Sequence, residues 1–207
     1  MEQAKSNTIE PTSSSSGRQA PPTTKSFKPN LMASLSAGFF LFISGGMSLI
    51  QSLGFIYFGF IMESRHILYC WFIAMALGAL IAVLLVYVVP KKYIMAAASV
   101  MVLVGGIIRV SSPNSEDALI AARYFNGLGV GVATISYLMY AGELSENRRR
   151  GLNLGLEQLG ISIGIALQMI MATQWPYSWS LSQDALQGIL DIFMVVLTMG
   201  SLIYFIE

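Results

Sequence analysis

Long uncharged runs separated by short charged punctuation make up most of this chain. No Asp, Glu, Lys or Arg occurs across residues 29–62, 66–90, 93–108, 124–142 or 158–183. A bilayer's hydrocarbon core takes about 20 apolar residues per helix. Backbone groups in hydrocarbon must be paired within their own segment, so the runs predict helices and not strands. Six spans follow, at roughly 32–54, 67–89, 93–110, 117–141, 151–173 and 187–206. The pattern predicts an all-α, polytopic membrane protein whose six-helix bundle occupies residues 31–207.

Residues 1–30 read differently. The run Thr12-Ser13-Ser14-Ser15-Ser16-Gly17, followed by Pro21 and Pro22, has too little apolar surface to offset the entropy of ordering. It also lacks the continuous apolar core of a signal peptide. A disordered cytoplasmic tail is expected.

Composition narrows the function classes. Of 207 residues, 55% are hydrophobic and 11% charged, with a mean hydropathy of +0.64. A soluble domain carries roughly a quarter charged residues, so a soluble enzyme is excluded. A net charge of +1 offers no basic patch for nucleic acid. One cysteine, Cys70, and one histidine, His66, exclude a disulfide framework and a thiolate or histidine metal site. No cofactor is implied. Cys70 reads as a small packing residue and His66 as an ordinary loop histidine.

Lysine and arginine set the orientation. With the tail inside, the inner segments hold Lys5, Arg18, Lys25, Lys28, Lys91, Lys92, Arg148, Arg149 and Arg150. The outer loops then hold Arg65 and Arg109, which satisfies the positive-inside rule and puts both ends in the cytoplasm. Trp175, Tyr177 and Trp179 would anchor the outer interface after the fifth span.

Three glycine pairs have small-xxx-small spacing: Gly127/Gly131, Gly151/Gly155 and Gly160/Gly164. No strand precedes them, so close helix packing is preferred to a dinucleotide loop. Arg123, Glu157, Gln158, Gln168 and Asp191 fall where hydrocarbon is expected. A charge there costs roughly 2.5–3.5 kcal/mol on insertion scales and normally faces a partner or cavity. Five such residues predict a polar interior, with Asp191 alone near enough to an end to snorkel.

The segment RYFNGLGVGVATISYLMYAGELSENRRRGLNLGLEQLGISIGI, from Arg123 onward, closely resembles the fourth and fifth helices of the sugar porter family of the major facilitator superfamily. Arg123, Gly127, Gly131, Tyr140, Glu143, Arg150, Gly151, Gln158, Ile161, Gly164 and Ile165 fall on the family's positions without a gap. Departures are Ala122, Leu138 and Glu146 in place of glycine and two prolines. In the loop after the second helix, which Gly78 opens, Tyr87, Val88 and Pro90 replace the family's residues and only Lys91 and Lys92 keep its positive charge.

The resemblance implies transport of a sugar or related carbohydrate by alternating access across a membrane, most naturally the plasma membrane, without enzymatic chemistry. It implies substrate contact by Gln158, Ile161, Ile165 and Arg123, and an inner gate of Glu143, Arg150, Lys91 and Lys92. Family members have twelve spans, so the chain is expected to be the amino-terminal half and to work with a second six-helix half. A non-transporting scaffold or regulatory half is the alternative. Proton-coupled members carry a carboxylate in the first helix, where this chain has none from Leu31 to Leu53. Facilitative transport is therefore expected, with Asp191 as the counter-group of Arg123. Glu157, beside the site-facing Gln158, is expected to point away from the site, toward another helix.

Overall fold

A computed structural model describes residues 27–58, 66–112, 115–174 and 183–204, with side chains over 31–53, 69–112, 115–173 and 185–203. Six helices follow in order: α1 (Phe27–Phe58), α2 (His66–Leu85), α3 (Lys91–Ser111), α4 (Glu116–Leu144), α5 (Arg150–Gln174) and α6 (Gln183–Tyr204). Five contain segments long and apolar enough to cross a membrane, and α2 supplies a shorter apolar segment, Tyr69–Leu85. The protein is an all-helical, multi-pass membrane protein. The tail before residue 27, Arg65, the His66 side chain, and Trp175, Tyr177 and Trp179 lie outside the described residues.

Local chemistry sets the helix ends. Helix α1 is described from Phe27, inside the expected tail boundary, and Pro29 stands in its first described turn, where a missing N–H is tolerated. Helix α2 stops at Leu85, four residues earlier than the apolar run predicts. Pro90 disfavours helical geometry at the residue before it, so Val86–Val89 form a turn and α3 starts at Lys91. Helix α4 is capped by Ser115, whose hydroxyl accepts from the Ala118 N–H, and Glu116 and Asp117 oppose the helix dipole there.

The packing has an internal order. Helix α1 lies against α5, α6 and α4, while α4 lies against α2, α3 and α1; α3 and α6 pack on each other. Exchanging α1–α3 for α4–α6 reproduces this pattern of neighbours, as expected of two three-helix repeats. Glycine makes the close approaches. A Cβ on Gly127 would come within 2.6 Å of the Trp71 carbonyl oxygen, and one on Gly131 would overlap that of Met75, so α4 and α2 touch backbone to backbone. Gly160 and Gly164 do the same for α5 against Phe39 and Ile43 of α1. Gly106 and Gly188 face each other where α3 crosses α6. Gly78, inside α2, meets the Leu128 backbone of α4. Gly151 and Gly155 differ: nothing lies within 4 Å of a Cβ at either. The packing reading therefore holds for two of the three pairs.

The outer face of α2 exposes Leu77, Leu80 and Leu84 while Trp71, Ala74 and Ala82 are buried. A helix apolar on all sides has lipid as its outer solvent. Helix α5 buries the least of its surface among the spanning segments.

Candidate functional site

Among the described residues a buried polar layer and an apolar-walled cleft lie within the spans, and Trp71 borders both. The first is sealed. Asp191 on α6 is fully buried and accepts a 2.6 Å hydrogen bond from the Ser44 hydroxyl of α1. The Asn126 amide of α4 donates to Asp191 Oδ2 at 3.5 Å, and Arg109 Nη1 of α3 lies 3.9 Å from the same oxygen. Arg109 Nη1 also donates to Gln51 on α1 at 3.3 Å. One turn away, Gln187 donates to Ser48 at 3.0 Å. Asn126 Oδ1 accepts from the Trp71 indole N–H of α2 at 3.0 Å. Five helices are thus joined by one buried layer, whose members the low dielectric binds tightly when they are satisfied.

This layer corrects three expectations. Arg109 does not stand in an outer loop: its last-turn position on α3 turns it into the bundle, where Asp191 and Gln51 meet its charge. Asp191 does not snorkel, and its cationic neighbour is Arg109, not Arg123. Arg123 is fully buried on α4 and reaches the Cys70 thiol of α2. Serine spacing on α1 (Ser44, Ser48, Ser52) and the Gln187/Asp191 pair on α6 mark the faces involved, at i, i+4 intervals visible in the sequence.

The second region is an open cleft of about 70 Å³ between α1, α2, α4 and α5. Phe42, Gly45 and Leu49 form one wall and Trp71 and Met75 another. Val130 and Thr134 of α4 and Glu157 and Ile161 of α5 complete the lining. Glu157 is half-buried and has no hydrogen-bond or ion-pair partner among the described residues. Thr134 donates to its own helix, to the Val130 carbonyl, at 2.9 Å. The cleft has room for a few water molecules and falls well short of a ligand pocket, typically 300 Å³ or more.

Placement on α5 divides its polar residues between two faces. Glu157 and Ile161, four residues apart, share the cleft-facing side. Gln158 is exposed on the adjoining face, about 100° round the helix, and its side chain has no partner among the described residues. Ile165 is half-buried one turn beyond Ile161. Glu157 thus points toward α1, α2 and α4, as expected of a residue turned to another helix, while Gln158 looks onto the uncovered face.

At the other end of the bundle, Lys91 at the start of α3 forms an ion pair with Glu143 near the end of α4. Arg150 opens α5 and is exposed, and neither it nor Lys92 makes an ion pair among the described residues. The α4–α5 turn is tied from inside. The Tyr137 hydroxyl donates to the Asn153 carbonyl at 2.7 Å, and the Asn153 amide donates to the Ser145 hydroxyl at 2.9 Å. Tyr137 also meets Phe42 edge to face, with ring centres 5.0 Å apart. Neither Tyr137 nor Asn153 stands out in the sequence, because each is polar among residues of ordinary spacing.

Comparison with known proteins agrees with this architecture. The family described as Sugar (and other) transporter matches residues 32–200. The arabinose-proton symporter of Escherichia coli K12 is 32% identical over 154 residues, covering 70% of this chain and 32% of that protein. A protein of Arabidopsis thaliana named "Probable polyol transporter 6" is 34% identical over 94 residues, 45% of this chain and 19% of its own length. The galactose-proton symporter of Escherichia coli K12 is 29% identical over 103 residues, 50% and 22% of the two chains. The chain spans about a third or less of the length of these relatives.

Proposed function

The chain belongs to the sugar (and other) transporter family, and from that premise we propose that it carries a sugar or polyol across a membrane by alternating access. The family match over residues 32–200 carries this reading. Transfer of a sugar breaks no covalent bond, so the site needs donors, acceptors and an apolar wall, and no nucleophile. Gln158 both donates and accepts and is suited to ligand hydroxyls. Ile161 and Ile165, at i+3 and i+7 from it, supply apolar contact with the ring. Arg123, buried behind Trp71, holds this wall from within. Lys91, Lys92, Glu143 and Arg150 form the closure at the inner, cytoplasmic end.

The cleft is too small to enclose a hexose, and α5 leaves Gln158, Gly151 and Gly155 uncovered. We therefore assign this bundle one wall of the site, with a second helical bundle supplying the other, at the plasma membrane. Transport is facilitative, since α1 has no acidic residue from Leu31 to Leu53. The second reading, a scaffold or regulatory half without flux of its own, is favoured by the limited share of the relatives that the chain spans. Uptake of labelled arabinose, galactose and sorbitol into vesicles bearing the full chain separates the two. Saturable, substrate-specific uptake supports transport, and its absence beside normal membrane insertion supports the scaffold.

A further inference from the structure

Among the described side chains six are acidic: Glu116, Asp117, Glu143, Glu146, Glu157 and Asp191. Four lie at helix ends in reach of water. Of the two within a span, Asp191 is met by Ser44, Asn126 and Arg109. Glu157 has no such company: its titratable neighbour is Tyr137, whose hydroxyl proton goes to the Asn153 carbonyl. The buried cations are engaged elsewhere, Arg109 at Asp191 and Gln51, Arg123 at Cys70, and neither borders the cleft. The cleft's polar hydrogens are also spent, Thr134 on its own helix and the Trp71 indole on Asn126. A carboxylate among apolar walls is costly unless something answers its charge. A proton or a cation brought by the ligand answers it here.

A hydroxyl would satisfy one lone pair and leave the charge standing. An ammonium satisfies both needs, and the Phe42 and Trp71 rings in the walls attract a cation further. We propose that the cleft selects carbohydrates bearing a protonated amine, an amino sugar or amino polyol, with the ammonium against the Glu157 carboxylate and the hydroxyls toward Gln158. This rests on the transport reading and specifies its substrate class. No proton need be carried, because the cargo itself neutralises Glu157.

The test compares D-glucosamine, D-glucose and N-acetyl-D-glucosamine, which keeps the ring and lacks the cation, in vesicles bearing the full chain. Uptake of glucosamine is expected to exceed that of the other two by about tenfold, the scale of a desolvated cation contact. Glu157→Gln should bring the ratio near one, and Glu157→Asp should keep most of it. A wild-type ratio near one, or a preference that survives Glu157→Gln, overturns the proposal. So does uptake of glucose driven by an imposed proton gradient and lost in Glu157→Gln, since a proton would then take the amine's place. If no sugar enters, equilibrium binding of glucosamine to the purified chain decides. Binding abolished by Glu157→Gln supports the cleft while the transport reading falls; no binding, or binding unchanged by it, overturns the cleft.

Discussion

Asp191 and Glu157 are both carboxylates set within apolar helices, and the bundle treats them in opposite ways. Asp191 lies where α1, α3, α4 and α6 converge, so three side chains from three other helices close around it. Glu157 lies on the least covered helix, in the lining of a cleft whose other polar groups are occupied. The residue type is nearly the same; the number of helices around it differs. An intramembrane charge that is fully surrounded holds helices together, and one that is half surrounded is available to a ligand.

Removing one partner of the surrounded charge should produce the largest effect. Asp191→Ala leaves Arg109 buried and uncompensated, for an expected loss of about 3–5 kcal/mol, read as failed insertion or a collapsed melting transition in detergent. Replacing both, with Arg109→Met and Asp191→Leu, should recover most of that loss. Glu157→Gln should leave the melting transition nearly unmoved. If the two single variants melt alike, the contrast is broken.

The glycine contacts sharpen it next. Gly131→Ala and Gly164→Ala force a methyl into the Met75 and Ile43 carbonyls and should cost about 1–3 kcal/mol. Gly155→Ala meets open space and should be neutral or slightly stabilising, because alanine is the better helix former. On the open face, Gln158→Ala should weaken ligand affinity by about 0.5–1.5 kcal/mol without reducing surface expression. Unchanged affinity would remove Gln158 from the site. The smallest effect belongs to Lys91→Ala. Its ion pair with the exposed Glu143 is worth less than about 1 kcal/mol, so stability should hardly change while the inner end becomes more accessible to polar probes.

The fold was readable because its cause is one-dimensional: apolar runs of bilayer length give helices at the expected places, with ends shifted by a few residues and α2 cut short where Pro90 acts locally. The glycines at 127, 131, 160 and 164 were also readable, since spacing alone puts a smooth strip on one helix face. The pairing of charges was not. Arg109 sits beside the polar residues Ser111 and Ser112, which read as loop, and only the angle of α3 against α6 turns it inward. Likewise, adjacency to Gln158 could not say that Glu157 borders the cleft. That depends on how much of α5 its neighbours cover, which is a property of the packed bundle. The departures thus cluster where tertiary contacts, and not periodicity, decide.

A sealed layer around Asp191 beside a Glu157 cleft open to a ligand is the arrangement at stake. Single cysteines at Glu157 and Ser44, in a Cys70→Ser background, test it with a water-soluble thiol reagent applied to the membrane-embedded chain. Rapid modification at 157, slowed by glucosamine, and none at 44 on the same timescale are expected. Equal reactivity at the two positions, or an unreactive cysteine at 157, would contradict it.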